Sequence, residues 1–192
     1  IDDKTPTAAE EIWDGLDGTT VGGLVGAAGN TGVFNYIQSF SGVTLNAAAR
    51  KGSGAANSDG SSSGAGQGAW DFALTGSGDT IGVDGLAWGI GYGEATNESV
   101  STQAGNKDDE HATVFANYSI GMVTAGYQIS NFAAGIKGGT DQVTDMWGIA
   151  VNINDDLSVS YGEREVEYAK ASAAHVTEDG EGIAVAYTMG SM

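Results

Sequence analysis

The side chains in this sequence that could carry chemistry are mostly carboxylates: 25 Asp and Glu stand against seven Lys and Arg, a net charge of −18. Asp2, Asp3, Glu10, Glu11, Asp14 and Asp17 crowd the opening segment, whereas Arg50 and Arg164 sit singly inside strand-like runs. Acids massed on one segment and bases held elsewhere can form two sides of an electrostatic field; equally, they can be a solvated helix face and isolated surface charges. Asp108-Asp109-Glu110 could hold a divalent cation at a loop tip or be a solvated acidic turn. His111 and His175 lie outside any His-Glu-x-x-His context and the chain has no cysteine, so no zinc site is expected. The run Gly26-Ala-Ala-Gly-Asn-Thr-Gly32 lacks the Lys and Ser or Thr of a phosphate-binding loop. No nucleophile, base and orienting acid form a set, so no enzyme is expected. No cofactor is expected either, beyond calcium held weakly at acidic loops.

Composition narrows the field further. A chain of 192 residues makes one domain or two small ones, and 32 glycines with a single proline suit strands with small faces and many turns. Phosphate binding needs clustered Lys and Arg, so nucleic acid is not an expected partner. The acidity points instead to cation attraction or to a calcium- or salt-rich exterior. The run Gly76-Ser-Gly-Asp-Thr-Ile81 matches one unit of a calcium-binding β-helix repeat, but it occurs once and such sites need stacked copies. The uncharged windows 18–49 and 112–136 are long enough to cross a bilayer as helices, yet Asn, Gln, Ser, Thr and Gly interrupt both. The chain opens on Ile1 in loop-like sequence and stops just after a strand, and reads as a mature or incomplete piece whose missing signals do not bear on location.

These residues need elements to hold them. Thr7-Ala-Ala-Glu10 is a capping-box pattern behind Pro6, and Ala9, Ile12, Trp13 and Leu16 follow at helical spacing, so a short helix ending near Gly15 to Gly18 is expected. The glycine-rich run 21–32 reads as loop. Nine strands are expected after it, at 33–41, 43–50, 69–77, 85–94, 111–119, 123–130, 145–153, 157–165 and 180–189. Short breaks at 41–42, 77–84, 119–122 and 154–156 alternate with long polar ones at 51–68, 95–110, 131–144 and 166–179, which describes an antiparallel meander.

The strands alternate with a period of two. One face carries Val43, Leu45, Trp70, Phe72, Leu74, Trp88, Ile90, Tyr92, Trp147, Ile149, Val151, Val159, Tyr161, Ile183 and Val185, with no charge before Glu163. The other carries Thr44, Asn46, Arg50, Asp71, Thr75, Gly89, Gly91, Gly93, Thr124, Gln128, Asn152, Ser158, Ser160 and Arg164. Strand 33–41 fits poorly, because Asn35 and Gln38 spoil both phases. A soluble β-sandwich turns its apolar face inward and studs the other with Lys and Glu. Here the second face is small and nearly uncharged, which fits a transmembrane β-barrel with its large residues toward lipid and its small polar ones toward a lumen. Aromatic residues near the strand ends, Phe40, Tyr118 and Tyr187 at one and Trp70, Tyr92, Trp147 and Tyr161 at the other, fit two interfacial girdles. Bacterial barrels mostly close with an even strand number, and nine is odd.

The run Thr7-Ala-Ala-Glu-Glu-Ile-Trp-Asp-Gly-Leu-Asp-Gly18, with Val33-Phe-Asn-Tyr36, Phe40-Ser-Gly-Val-Thr-Leu45 and Gly182-Ile-Ala-Val-Ala-Tyr-Thr-Met-Gly-Ser-Met192, resembles the general diffusion porins of alphaproteobacteria. The resemblance implies an all-β fold, an antiparallel up-and-down transmembrane barrel of 16 strands of which about nine are present. Residues 1–32 would be most of the inward-folded loop that narrows the pore, with its short helix, and 33–192 would be barrel wall. It implies a homotrimer in the outer membrane, contacting lipid and lipopolysaccharide and passing small hydrophilic solutes. On that reading Asp2, Asp3, Glu10, Glu11, Asp14 and Asp17 form the acidic side of the constriction. Arg50 and Arg164 form its basic side, and Asp71, Gln128 and Asn152 are further lumen candidates. The work is electrostatic filtering with cation preference rather than catalysis. The competing expectation is a secreted acidic β-rich binding or adhesion protein.

Overall fold

The computed structural model describes residues 1, 4–8, 33–50, 68–95, 107–170 and 174–188. Nine antiparallel strands form one sheet in simple sequence order: β1 (Val33–Phe40), β2 (Val43–Arg50), β3 (Ala69–Ser77), β4 (Leu86–Ala95), β5 (Asp109–Ile120), β6 (Val123–Ala133), β7 (Thr140–Asn152), β8 (Leu157–Lys170) and β9 (Val176–Tyr187). The protein is therefore all-β and up-and-down, with the expected nine strands. Among the described residues β1 and β9 each pair on one side only, so the sheet is not closed. The helix expected near residues 7–18 lies almost wholly outside the described residues. The helical element within them is a single 3-10 turn, Gly78–Ile81.

The short connections explain themselves. Ser41 and Gly42 both take positive φ (47° and 78°), the backbone of a type I′ hairpin turn. Gly121 (φ 59°) opens the two-residue turn between β5 and β6. At Asn154 the side-chain Oδ1 accepts the N–H groups of Asp156 and Leu157, both at 2.9 Å, an Asx turn joining β7 to β8. Beside these turns, paired polar side chains bond across the strands: Ser39 with Thr44 (2.9 Å), Ser119 with Thr124 (2.9 Å), and Ser158 donating to Asn152 (2.7 Å).

Several strands run further than the alternation of apolar residues suggested. β7 begins at Thr140 instead of 145, β8 reaches Lys170, and β9 starts at Val176, so most of the loop expected at 166–179 is strand. The pairing continues there through charged residues: Glu167 faces Val143 and Thr177, and Glu178 faces Val166. Backbone hydrogen bonds extend a ladder as readily under Glu as under Val, and only the side-chain pattern stops. The connection between β6 and β7 shrinks to 134–139, where Ala134 N–H donates to Asp141 (2.9 Å) and Gly135 N–H to Asp109 (2.7 Å).

Register places the two kinds of residue on opposite faces throughout. Leu45, Leu74, Ile90, Val114 and Ile129 form one row, and Ala125, Ile149, Tyr161 and Ile183 another, all on the large face. Every buried strand residue lies on the small face: Ala69, Ala95, Phe115, Met146 and Val166 among apolar ones, Gln128, Ser130, Thr144, Ser160 and Arg164 among polar ones. The large face is bare, with Ile183 67 % and Ile149 37 % exposed. β1 is exposed on both faces, consistent with its mixed phase.

Gly85 takes φ 79°, and a Cβ there would strike the Ser119 carbonyl, whose residue already donates its N–H to Gly85 O at 2.8 Å. Gly121 also has positive φ, but open space surrounds it. Gly121→Ala should cost only the left-handed backbone, about 1–2 kcal/mol. Gly85→Ala should cost roughly 1–3 kcal/mol more from the forced backbone shift, and denaturant titration of the two variants measures the difference.

Candidate functional site

The small face of β4–β8 is a seat for another part of the chain. Residues 1 and 4–8 run obliquely across it, from β4 to β8. Ile1 lies over β4, where a Cβ on Gly91 would come within 3.3 Å of its Cδ1. The Lys4 carbonyl accepts from Asn117 Nδ2 on β5 at 2.6 Å, and its N–H donates to Gln128 Oε1 on β6 at 2.7 Å. Pro6 lies over Gly126 and Gly148: a Cβ on Gly148 would sit 2.8 Å from the Pro6 carbonyl oxygen, and one on Gly126 2.6 Å from Pro6 Cδ. The Ala8 N–H donates to Ser160 Oγ on β8 at 2.8 Å, with Thr7 Oγ1 3.4 Å from the same oxygen. Thr5 is buried between these anchors.

Each anchor follows from local sequence. Gly126 and Gly148 pair directly across β6 and β7, and Gly162 and Gly182 continue the row on β8 and β9, so missing side chains line up into a trough one residue wide, with Pro6 over its first two glycines. Gln128, fully buried, is satisfied on both sides: its Oε1 takes the segment's N–H and its Nε2 donates to Thr113 Oγ1 at 3.1 Å. Thr113 in turn bonds Ser130 Oγ at 2.8 Å. A buried amide is costly unless both ends are bonded, and this one joins the crossing segment to a hydroxyl network within the wall.

The expected site residues divide. Gln128 lies at the centre of the seat. Arg164 is on the same face, 4 % exposed, with its guanidinium 3.7 Å from Glu178 on β9. Arg50, Asp71 and Asn152 share that face by register, on β2, β3 and the turn end of β7. Arg50 is half-buried and lies diagonally beside Asp71 on the neighbouring strand, whereas Asn152 is exposed at the opposite, tight-turn end of the sheet. The acids Asp2, Asp3, Glu10, Glu11, Asp14 and Asp17 lie outside the described residues. Asn117, Thr113, Ser130, Gly126, Gly148 and Glu178 belong to the seat or its surroundings and were not singled out in sequence. Their one signal there is position on the small face, which most of its residues share.

The large face carries more charge than the alternation indicated. Glu94, Glu110, Asp145, Glu163, Glu165, Asp179 and Glu181 all join it at the end away from the tight turns, where the pairing brings the acidic strand ends side by side. Aromatic hydroxyl and indole groups donate to these carboxylates. Tyr92 bonds Glu94 at 2.8 Å, Tyr161 bonds Glu163 at 2.6 Å and Glu181 at 2.7 Å, Trp147 Nε1 bonds Glu163 at 3.1 Å, and Tyr127 bonds Asp145. The result is an amphipathic rim, aromatic toward mid-sheet and acidic beyond. Among the described residues no three His, Asp or Glu side chains converge as a metal-binding set. No helix among them is long and apolar enough to cross a membrane, which says nothing of strands.

Gln128→Leu would leave the Lys4 N–H facing an apolar side chain. The loss should be about 1–3 kcal/mol from an unsatisfied buried donor, and trypsin should cleave after Lys4 faster than in the parent protein. Equal cleavage rates would mean that this hydrogen bond does not hold the segment down.

Compared with known proteins, the chain matches no family profile and no curated relative.

Proposed function

We propose that this chain is wall and inward-folded loop of an outer-membrane porin, a water-filled β-barrel that passes small hydrophilic solutes and ions by diffusion. The observation that carries the reading is which face is covered. A β-sheet in water hides its large apolar side chains. Here the chain lays its own segment 4–8 on the small polar face and leaves Trp70, Ile90, Trp147, Ile149, Ile183 and Val185 bare. That arrangement suits lipid on the outside and water with a folded-in loop on the inside. Tyr and Trp donating to carboxylates at one end of the bare face suits a membrane interface, where amphipathic rings lie between hydrocarbon and water.

In this reading β1 and β9 continue into further strands, since an open edge in hydrocarbon would leave backbone groups unsatisfied. The 16-strand closure, the trimer and contact with lipopolysaccharide come from the porin resemblance. With 25 acids to seven bases, the passage prefers cations. The secreted-adhesion reading would need a cover for the large face.

Full-length protein reconstituted in planar bilayers should give stepwise conductance, with a reversal potential favouring potassium over chloride. A monodisperse monomer stable in plain buffer would sink the porin reading. Two substitutions in one strand test the faces. Ile149→Arg places a charge on the lipid side at a cost of roughly 2–4 kcal/mol near mid-bilayer and should block assembly. Asn152→Arg, on the lumen side, gives up only the Ser158 hydrogen bond beside a turn that Asn154 still fixes, so it should assemble and shift selectivity toward anions. Equal assembly of both would mean that the faces are misassigned.

A further inference from the structure

Resting on the pore reading, we infer that the glycine trough Gly126–Gly148 and the acceptors Gln128 and Ser160 set the height at which residues 4–8 cross the lumen face. They thereby control the width of the passage without lining it. The trough is one residue wide and filled by Pro6, whose fixed ring geometry makes it a rigid gauge. On one side of Pro6 the Lys4 N–H is held at 2.7 Å by Gln128, and on the other the Ala8 N–H is held at 2.8 Å by Ser160. Two hydrogen bonds separated by four residues, with the chain pressed into missing side chains between them, leave the segment one depth at which all three fit. A methyl on Gly148 would stand 2.8 Å from the Pro6 carbonyl oxygen, closer than van der Waals contact allows, and the opposing atom is backbone. The segment must then rise from the wall. A raised segment stands further into the lumen, so the aperture beyond it narrows. Neither Gly148 nor Gln128 needs to touch a passing solute for this to happen; both are positioning residues.

The chain has no cysteine, so one engineered pair, which gives up the Ser160 acceptor, reports what the glycine trough and Gln128 contribute. Thr7 Oγ1 and Ser160 Oγ are 3.4 Å apart, which places Thr7→Cys and Ser160→Cys within reach of a disulfide after small side-chain rotations. In full-length protein the pair should oxidise readily in the parent background. It should oxidise several-fold more slowly when Gly148→Ala, and more slowly again when Gly148→Val, is added. Single-channel conductance of the same glycine variants without the cysteines should fall in the same order. Gln128→Leu, which removes an acceptor without adding bulk, should slow oxidation and broaden the open-channel current, and it serves if the Val variant does not assemble. Slowed oxidation with unchanged conductance would overturn the inference, as would unchanged oxidation in all three variants. A parent protein that forms the disulfide but gives no channels would overturn the pore reading itself, and the inference with it.

Discussion

Everything in this structure depends on register. Eight successive strand pairings bring residues of the same face together, so that Leu45, Leu74, Ile90, Val114 and Ile129 meet along one row while Asp71 and Gly93 meet along another. Because side chains alternate with a period of two, a slip of one residue in any pairing would exchange faces for every strand beyond it. Trp147 and Tyr161 would then meet the small face, and Gln128 or Ser160 the large one. The tight turns guard against that. Ser41-Gly42, Gly121-Met122 and the Asn154 Asx turn each allow one strand offset, and the polar pair beside each turn bonds only in that offset.

With faces assigned, the chain resolves an apparent contradiction. Its buried groups are largely polar or small, and its large apolar groups are exposed. Ordinary burial rules describe a protein with water outside. Here the crossing segment makes the polar face an interior: Gln128, Thr113 and Ser130 satisfy one another and the segment at once, and the two aligned glycines admit Pro6 where any side chain would exclude it. Arg164 is drawn into the same face beside Glu178, so one of its neighbours is an acid of the adjacent strand.

How much of this was legible in the sequence depended on whether neighbours in space were neighbours in pattern. The nine strands and their two faces were readable because alternation is a local property, and Trp147 to Tyr161 displays it across a single turn. Strand ends were not, because Glu167 and the residues up to Lys170 continue the β8 ladder after the apolar signal stops. The acidic rim escaped notice for a different reason: Glu94, Glu110 and Asp145 lie far apart in sequence and come to one edge of the sheet only through pairing. The seat was least legible. Gly126 and Gly148 looked like two of many small residues, and nothing local tells which glycines will lie opposite each other beneath a proline more than a hundred positions away. Gln128 could be picked out because a long polar side chain on a small face is unusual wherever it occurs.

The distance in sequence between the crossing segment and its seat orders the protein's assembly in time. Every pairing joins strands adjacent in sequence, so the sheet can grow by local steps. The segment's bonds to Asn117, Gln128 and Ser160 join residues 113, 124 and 152 positions apart. None of those acceptors or donors lies on the right face until β5, β6 and β8 are paired. Docking of residues 4–8 therefore follows the pairing of β5 to β8, onto a small face that is open until then.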